Sequence, residues 1–136
     1  MLIKTIFSGF GGQGVLSMGY IFAYAAMVDG KNTTYLPSYG AEVRGGTANC
    51  TVAISDEEVA SPVASSPEFV VVMNNPSLFR FQNVVQSGGI MFLNSSMIEA
   101  RPIRGDIELF EIPANGIAKR LGNERVVNTV MLGFFV

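Results

Sequence analysis

The amino-acid sequence predicts a three-layer α/β domain whose sheet is mostly parallel, with at least one antiparallel strand. Three observations predict it. Short apolar runs rich in β-branched residues, such as Leu2–Phe7, Phe69–Met73 and Ile90–Leu93, alternate with longer helical patterns, as expected of strands buried between helices. The first run leads into Gly9-Phe10-Gly11-Gly12-Gln13-Gly14 and then into an apolar helix, the strand–turn–helix order of Rossmann-like domains. The strand Thr47–Ile54 follows its predecessor with no room for a crossover helix, so it runs antiparallel to a neighbour.

Taken in order, Leu2–Phe7 reads as a buried parallel strand that ends at the glycines. Val15–Val28 reads as a helix. Its Ala, Leu and Met residues leave it apolar on most faces, which predicts burial on more than one side. Gly30 is the expected C-terminal cap. Thr33–Leu36 is a short strand that Pro37 is expected to stop, and Pro37–Gly46 is a loop by its proline and glycines. After the antiparallel strand, Asp56–Glu58 and the Ser-Pro pairs up to Pro67 read as irregular connection.

Phe69–Met73 is a core strand. Asn75 is the expected N-cap and Pro76 the first-turn residue of a helix continuing to Val85. Ile90–Leu93 and Ile107–Ile112 are further strands, and Pro113 starts a helix through Leu121. Val126–Val136 begins an apolar helix that the sequence leaves without a capping residue. The expectation is one domain over residues 1–136, truncated at this C-terminal helix or docked there against another surface.

Composition narrows the chemistry. There is no histidine, which removes the usual general base near neutral pH and the commonest metal ligand. Cys50 is the single cysteine, so the chain forms no internal disulfide and builds no four-thiolate zinc or iron–sulfur site. Cys50 itself reads as a small buried residue in the antiparallel strand. A lone thiol suits a reducing cytoplasm. The net charge of −2, with basic residues scattered, gives no footprint for nucleic acid. No apolar run reaches the roughly 20 residues of a membrane span. With 49% hydrophobic and 15% charged residues, surplus apolar surface is expected to face other protein subunits.

Two stretches carry recognition chemistry. The glycine run lets a partner approach bare backbone and aims the first amides of the helix outward, where a phosphate or carboxylate is the natural guest; the same run also serves merely to pack a helix on a strand. In the loop Pro37-Ser38-Tyr39-Gly40-Ala41-Glu42-Val43-Arg44-Gly45-Gly46, Arg44 beside two glycines pairs a guanidinium with exposed amides, an arrangement for an oxyanion. The alternative there is a structural Glu42–Arg44 ion pair. A dinucleotide site demands an acid at the end of the second strand, about 20 residues past the glycines. Asp29 comes before that strand and Glu42 too late, while the strand itself ends Tyr35-Leu36-Pro37-Ser38. Asn74 and Asn75 are expected on the same edge as the glycine run if both strands are parallel.

The ordered pair of glycine stretches resembles the gamma subunit of 2-oxoacid:ferredoxin oxidoreductases, a unit that also occurs as a domain fused into longer pyruvate:ferredoxin oxidoreductases. The resemblance runs from Met1 to the last residue, and Asn74-Asn75-Pro76 sits at a similar turn in the family. The wording Ser-Tyr-Gly-Ala-Glu-Val-Arg-Gly-Gly looks most like the 2-oxoglutarate (2-oxoglutarate synthase) type. The resemblance implies oxidative decarboxylation of a 2-oxoacid to an acyl-coenzyme A, with electrons passed to ferredoxin. It implies thiamine diphosphate and Mg2+ between alpha and beta subunits, iron–sulfur clusters in partners such as a ferredoxin-like delta subunit, and no catalytic group here. Gly9, Gly11, Gly12, Gln13, Gly14, Ser38, Tyr39, Arg44, Gly45 and Asn75 are then the candidate cofactor-binding residues, with coenzyme A as the co-substrate approached. A stand-alone dinucleotide-binding oxidoreductase and a non-catalytic acyl-coenzyme A scaffold remain the alternatives.

Overall fold

A computed structural model describes residues 1–11, 13–38 and 47–136. Among these, six strands form one sheet: β1 (Leu2–Gly9), β2 (Asn32–Ser38), β3 (Ala48–Ser55), β4 (Phe69–Val72), β5 (Ile90–Asn94) and β6 (Glu108–Ile112). Four α-helices accompany them: α1 (Val15–Val28), α2 (Asn75–Phe81), α3 (Ala114–Arg120) and α4 (Val127–Phe135), the last preceded by a 3-10 turn, Glu124–Val126. The strand order is β2-β3-β1-β4-β5-β6. β1, β4, β5 and β6 run parallel, and β3 runs antiparallel to both β1 and β2. The mostly parallel sheet with an antiparallel strand is therefore as the sequence predicts.

Alternation along the strands sorts side chains into two cores. Phe7, Cys50, Val52, Val71, Met73 and Phe92 pack with α1, α3 and α4 on one face. Ile6, Val70, Val72, Met91 and Leu93 pack with Leu78 and Phe81 of α2 on the other. That is the period-2 logic of a sheet covered on both sides, and it makes the three layers.

Four expectations need correction. Pro37 does not end β2; the strand continues to Ser38, because among the described strands β2 is an edge strand, with no partner on one side to miss the proline N–H. The cap of α2 is Asn74, not Asn75: its side-chain oxygen accepts the N–H of Ser77 at 3.0 Å. That helix stops at Phe81, short of Val85, with turns following. Finally, α1 is buried on one face only, through Val15, Met18, Gly19 and Ala23. Tyr20, Ile21, Tyr24, Met27 and Val28 are at least half exposed, so an all-apolar helix presents its second face outward.

Candidate functional site

The site lies at the edge where the parallel strands end. β1 stops at Gly9, β4 leads into Asn74, and β5 closes on Asn94. β2 points the same way as β1, and the register aligns Ser38 with Asn49 and Asn49 with Ser8. Two strand spacings, about 10 Å, therefore separate the row of Ser38 from that of Ser8. The topology thus brings Ser38, the glycine run and Asn75 to one edge, from three separate parts of the chain. Tyr39, Arg44, Gly45 and Gly12 lie outside the described residues.

The glycine run is held by its own side chains. Gln13 folds back so that its Oε1 accepts the N–H of Phe10 at 2.6 Å, while its Nε2 donates to the Met73 carbonyl at 3.3 Å. Gly9 has no room for a side chain; a Cβ there would sit 2.7 Å from that of Met73 and 2.8 Å from Val15 Cγ2. Gly14 adopts the left-handed conformation (φ 73°) that favours glycine and serves as the N-cap of α1. Its carbonyl accepts from Met18 N at 2.9 Å and from Asn128 Nδ2 at 3.3 Å. Gly11, by contrast, faces open space and is exposed. Of the predicted contact residues, Gly9 and Gln13 are engaged in building the loop, and Gly11 is the one with space around it.

A glycine cap has no side chain to satisfy the first amides of α1, and no acidic residue occupies the first turn. Those amides border a cavity of about 330 Å³ lined by Phe10, Gly11, Gly14, Val15, Leu16, Ser17 and Ala48. N–H groups without a side-chain cap among the described residues, the positive end of a fourteen-residue helix and a neighbouring void suit an anionic group. Asn75 belongs to the same edge; its Oδ1 is buried and has no hydrogen-bond partner among the described residues. Asn94, Asn115 and Asn128 escaped the sequence reading, because nothing local distinguishes a structural asparagine from a surface one. Asn94 is fully buried and donates to Asn115 at 2.8 Å.

Among the described residues the other titratable groups do not form a reaction centre. Cys50 is fully buried beneath α1, donates towards the Val15 carbonyl at 3.7 Å, and burial pushes its thiol up to about 12. Asp29 caps the far end of α1, away from the glycines. Among the described residues no group of three or more His, Cys, Asp or Glu is placed to hold a metal ion. No helix among them is long and apolar enough to cross a membrane. The sheet order also departs from a dinucleotide-binding domain: an antiparallel strand separates β1 from β2, where that fold has parallel neighbours.

Fold and site together define an α/β domain with a glycine turn, opening a helix, at the carboxyl edge of its sheet. Over residues 4–136 the sequence matches the profile of the POR family, pyruvate ferredoxin/flavodoxin oxidoreductase. The chain belongs to that family. It is 44% identical over 131 residues to ketoisovalerate oxidoreductase subunit VorA of Methanothermobacter thermautotrophicus, covering 96% of this chain and 27% of VorA. It is 35% identical over 133 residues to 2-oxoglutarate synthase subunit KorC of Methanothermobacter marburgensis, covering 93% of this chain and 72% of KorC. The chain therefore spans about a quarter of the VorA relative and most of the KorC one. In three dimensions it resembles the keto/oxoacid ferredoxin oxidoreductase gamma subunit of Geobacter sulfurreducens PCA, with TM-score 0.83 and 30% identity over 96% of this chain and 73% of that one.

Proposed function

We propose that the chain is the gamma-type subunit, or gamma-type domain, of a 2-oxoacid:ferredoxin oxidoreductase. Such an assembly decarboxylates a 2-oxoacid oxidatively to an acyl-coenzyme A and passes the electrons to ferredoxin. The chain works there without a catalytic residue of its own, consistent with a sequence that has no histidine and one inert thiol. Thiamine diphosphate with Mg2+ belongs to alpha and beta partners, and the iron–sulfur clusters to partners including a ferredoxin-like delta subunit, in the cytoplasm. The substrate is a 2-oxoacid. The loop wording favours 2-oxoglutarate, whereas 44% identity to a ketoisovalerate subunit against 35% to a 2-oxoglutarate subunit favours a branched-chain acid.

The observation that carries this reading is the open N-terminus of α1 beside its cavity. There Gly11 and Gly14 leave backbone donors for a phosphate of coenzyme A, with Ser38 and Asn75 on the same edge. Gly12, Tyr39, Arg44 and Gly45, which lie outside the described residues, complete the proposed contact set. The test is co-expression with candidate alpha and beta partners, followed by coenzyme A titration of the assembled enzyme. Arg44→Ala is expected to weaken coenzyme A about tenfold with turnover at saturation retained. A chain that fails to co-purify with thiamine-dependent partners, or that binds a nicotinamide tightly alone, overturns the reading. Retained affinity for an acyl-coenzyme A without any partner favours the scaffold instead.

A further inference from the structure

On the α3–α4 side of the glycine run lies a second cavity of about 220 Å³, lined by Gln13, Asn115, Glu124, Arg125 and Val127. Its polar groups are held from behind. Fully buried Asn94 accepts the N–H groups of Ala114 at 3.2 Å and Ser96 at 3.3 Å, and its Nδ2 donates to Asn115 Oδ1 at 2.8 Å. The bond from Asn94 fixes the amide of Asn115, whose Nδ2 donates to no partner among the described residues and is left as an N–H donor for the cavity. Gln13 is fixed in the same sense: its oxygen accepts from Phe10, and one N–H goes to Met73, which leaves the other. Arg125 uses its backbone N–H on Asn123 at 2.9 Å. Among the described residues neither its guanidinium nor the Glu124 carboxylate has a side-chain partner.

Three kinds of N–H donor and one carboxylate thus surround a space below the roughly 300 Å³ at which whole small-molecule sites begin. The donors suit the bare oxygens of a tetrahedral oxyanion. Glu124, which repels a fully ionised anion, becomes an acceptor when that anion keeps an O–H. We propose that this cavity binds a phosphate group bearing an O–H, free or as a monoester, with Arg125, Asn115 and Gln13 donating and Glu124 accepting. Sulfate has the same shape and no O–H near neutral pH, so it meets an unrelieved carboxylate. This site is separate from the α1 cavity and stands whether or not the chain assembles with oxidoreductase partners.

The experiment is an NMR titration of the isotope-labelled chain with inorganic phosphate, methyl phosphate and sulfate, near pH 6, where phosphate is partly protonated, at constant ionic strength. Saturable shifts at Gln13, Asn115 and Arg125 are expected with phosphate, and at least about tenfold weaker binding with sulfate. Methyl phosphate binding as well as inorganic phosphate identifies a monoester ligand; binding of inorganic phosphate alone identifies the free ion. Arg125→Met is expected to weaken phosphate about tenfold, and Glu124→Gln to close the gap between phosphate and sulfate. Both side chains are exposed, so circular dichroism of either variant should match the parent. Shifts that do not saturate, sulfate binding equal to phosphate in the parent, or an unchanged Arg125→Met affinity each overturn the proposal.

Discussion

Asn128 donates its side-chain N–H to the carbonyl of Gly14 at 3.3 Å, joining two residues 114 positions apart. Through this bond the last helix holds the glycine turn that the first strand ends in. A Cβ on Gly14 would lie 2.7 Å from Asn128 Cγ, and the residue's φ of 73° disfavours any side chain. Gly14→Ala should therefore cost about 1–3 kcal/mol, and Asn128→Ala about 1 kcal/mol through the lost hydrogen bond. The double variant should cost less than the sum, because removing the Asn128 side chain relieves the clash. Urea denaturation of the four proteins measures the coupling; strict additivity would show that the two residues do not press on each other.

The two asparagines before Pro76 should behave oppositely. Asn74→Ala removes the cap of α2 and is expected to cost about 1 kcal/mol. Asn75→Ala removes a buried oxygen that has no partner among the described residues, so stability should hold or rise slightly. Thermal melts of both decide it, and the reverse order would return the cap to Asn75.

Gly19 lets α1 press onto β3, since a Cβ there would run into the sulfur of Cys50. Gly19→Ala should destabilise by about 1–3 kcal/mol through overpacking, with partial rescue by Cys50→Ala. The same contact hides the thiol. With its pKa pushed to about 12, Cys50 should alkylate at pH 8 at least about a hundredfold more slowly in the folded chain than in denaturant. Comparable labelling rates in the two states would contradict the burial.

Arg104 forks onto Asp106, with Nε at 2.8 Å and Nη2 at 2.6 Å, and holds that carboxyl down to about 2 from an ordinary value of 3.8. The folded pKa is depressed, so the contribution to stability is complete above about pH 4 and is lost as pH falls towards 2. Asp106→Asn should lower the urea midpoint at pH 7 and erase part of the acid dependence between those limits. Parent and variant should converge near pH 2. Parallel curves over that window would remove Asp106 from the acid response.

The elements were readable because each is written locally. Phe69–Met73 is apolar and β-branched whatever it packs against, and Asn-Pro announces a helix start within a residue. The errors were equally physical. Pro37 stops a central strand but not an edge strand, and β2 becomes an edge only through pairing partners found elsewhere in the chain. The outward face of α1 was misjudged because apolar periodicity reports which residues avoid water, not whether this polypeptide alone has enough surface to cover them. Of the site, the glycine turn was legible from its spacing. The back-folded Gln13 and the Asn94–Asn115 pair were not, since an amide becomes a positioned donor only when a distant backbone or side chain takes its oxygen.

By itself, then, the sequence determined the strands and helices, the lack of imidazole and cluster thiols, and the glycine turn that opens α1. Those follow from side-chain chemistry and short-range backbone preference. The tertiary structure alone decided that β3 enters between β1 and β2, that Asn128 reaches Gly14, and that Gln13, Asn115 and Arg125 meet around one cavity. Such meetings depend on how sheet faces bury their apolar area against particular helices, an energy summed over the whole domain and carried by no local run of residues.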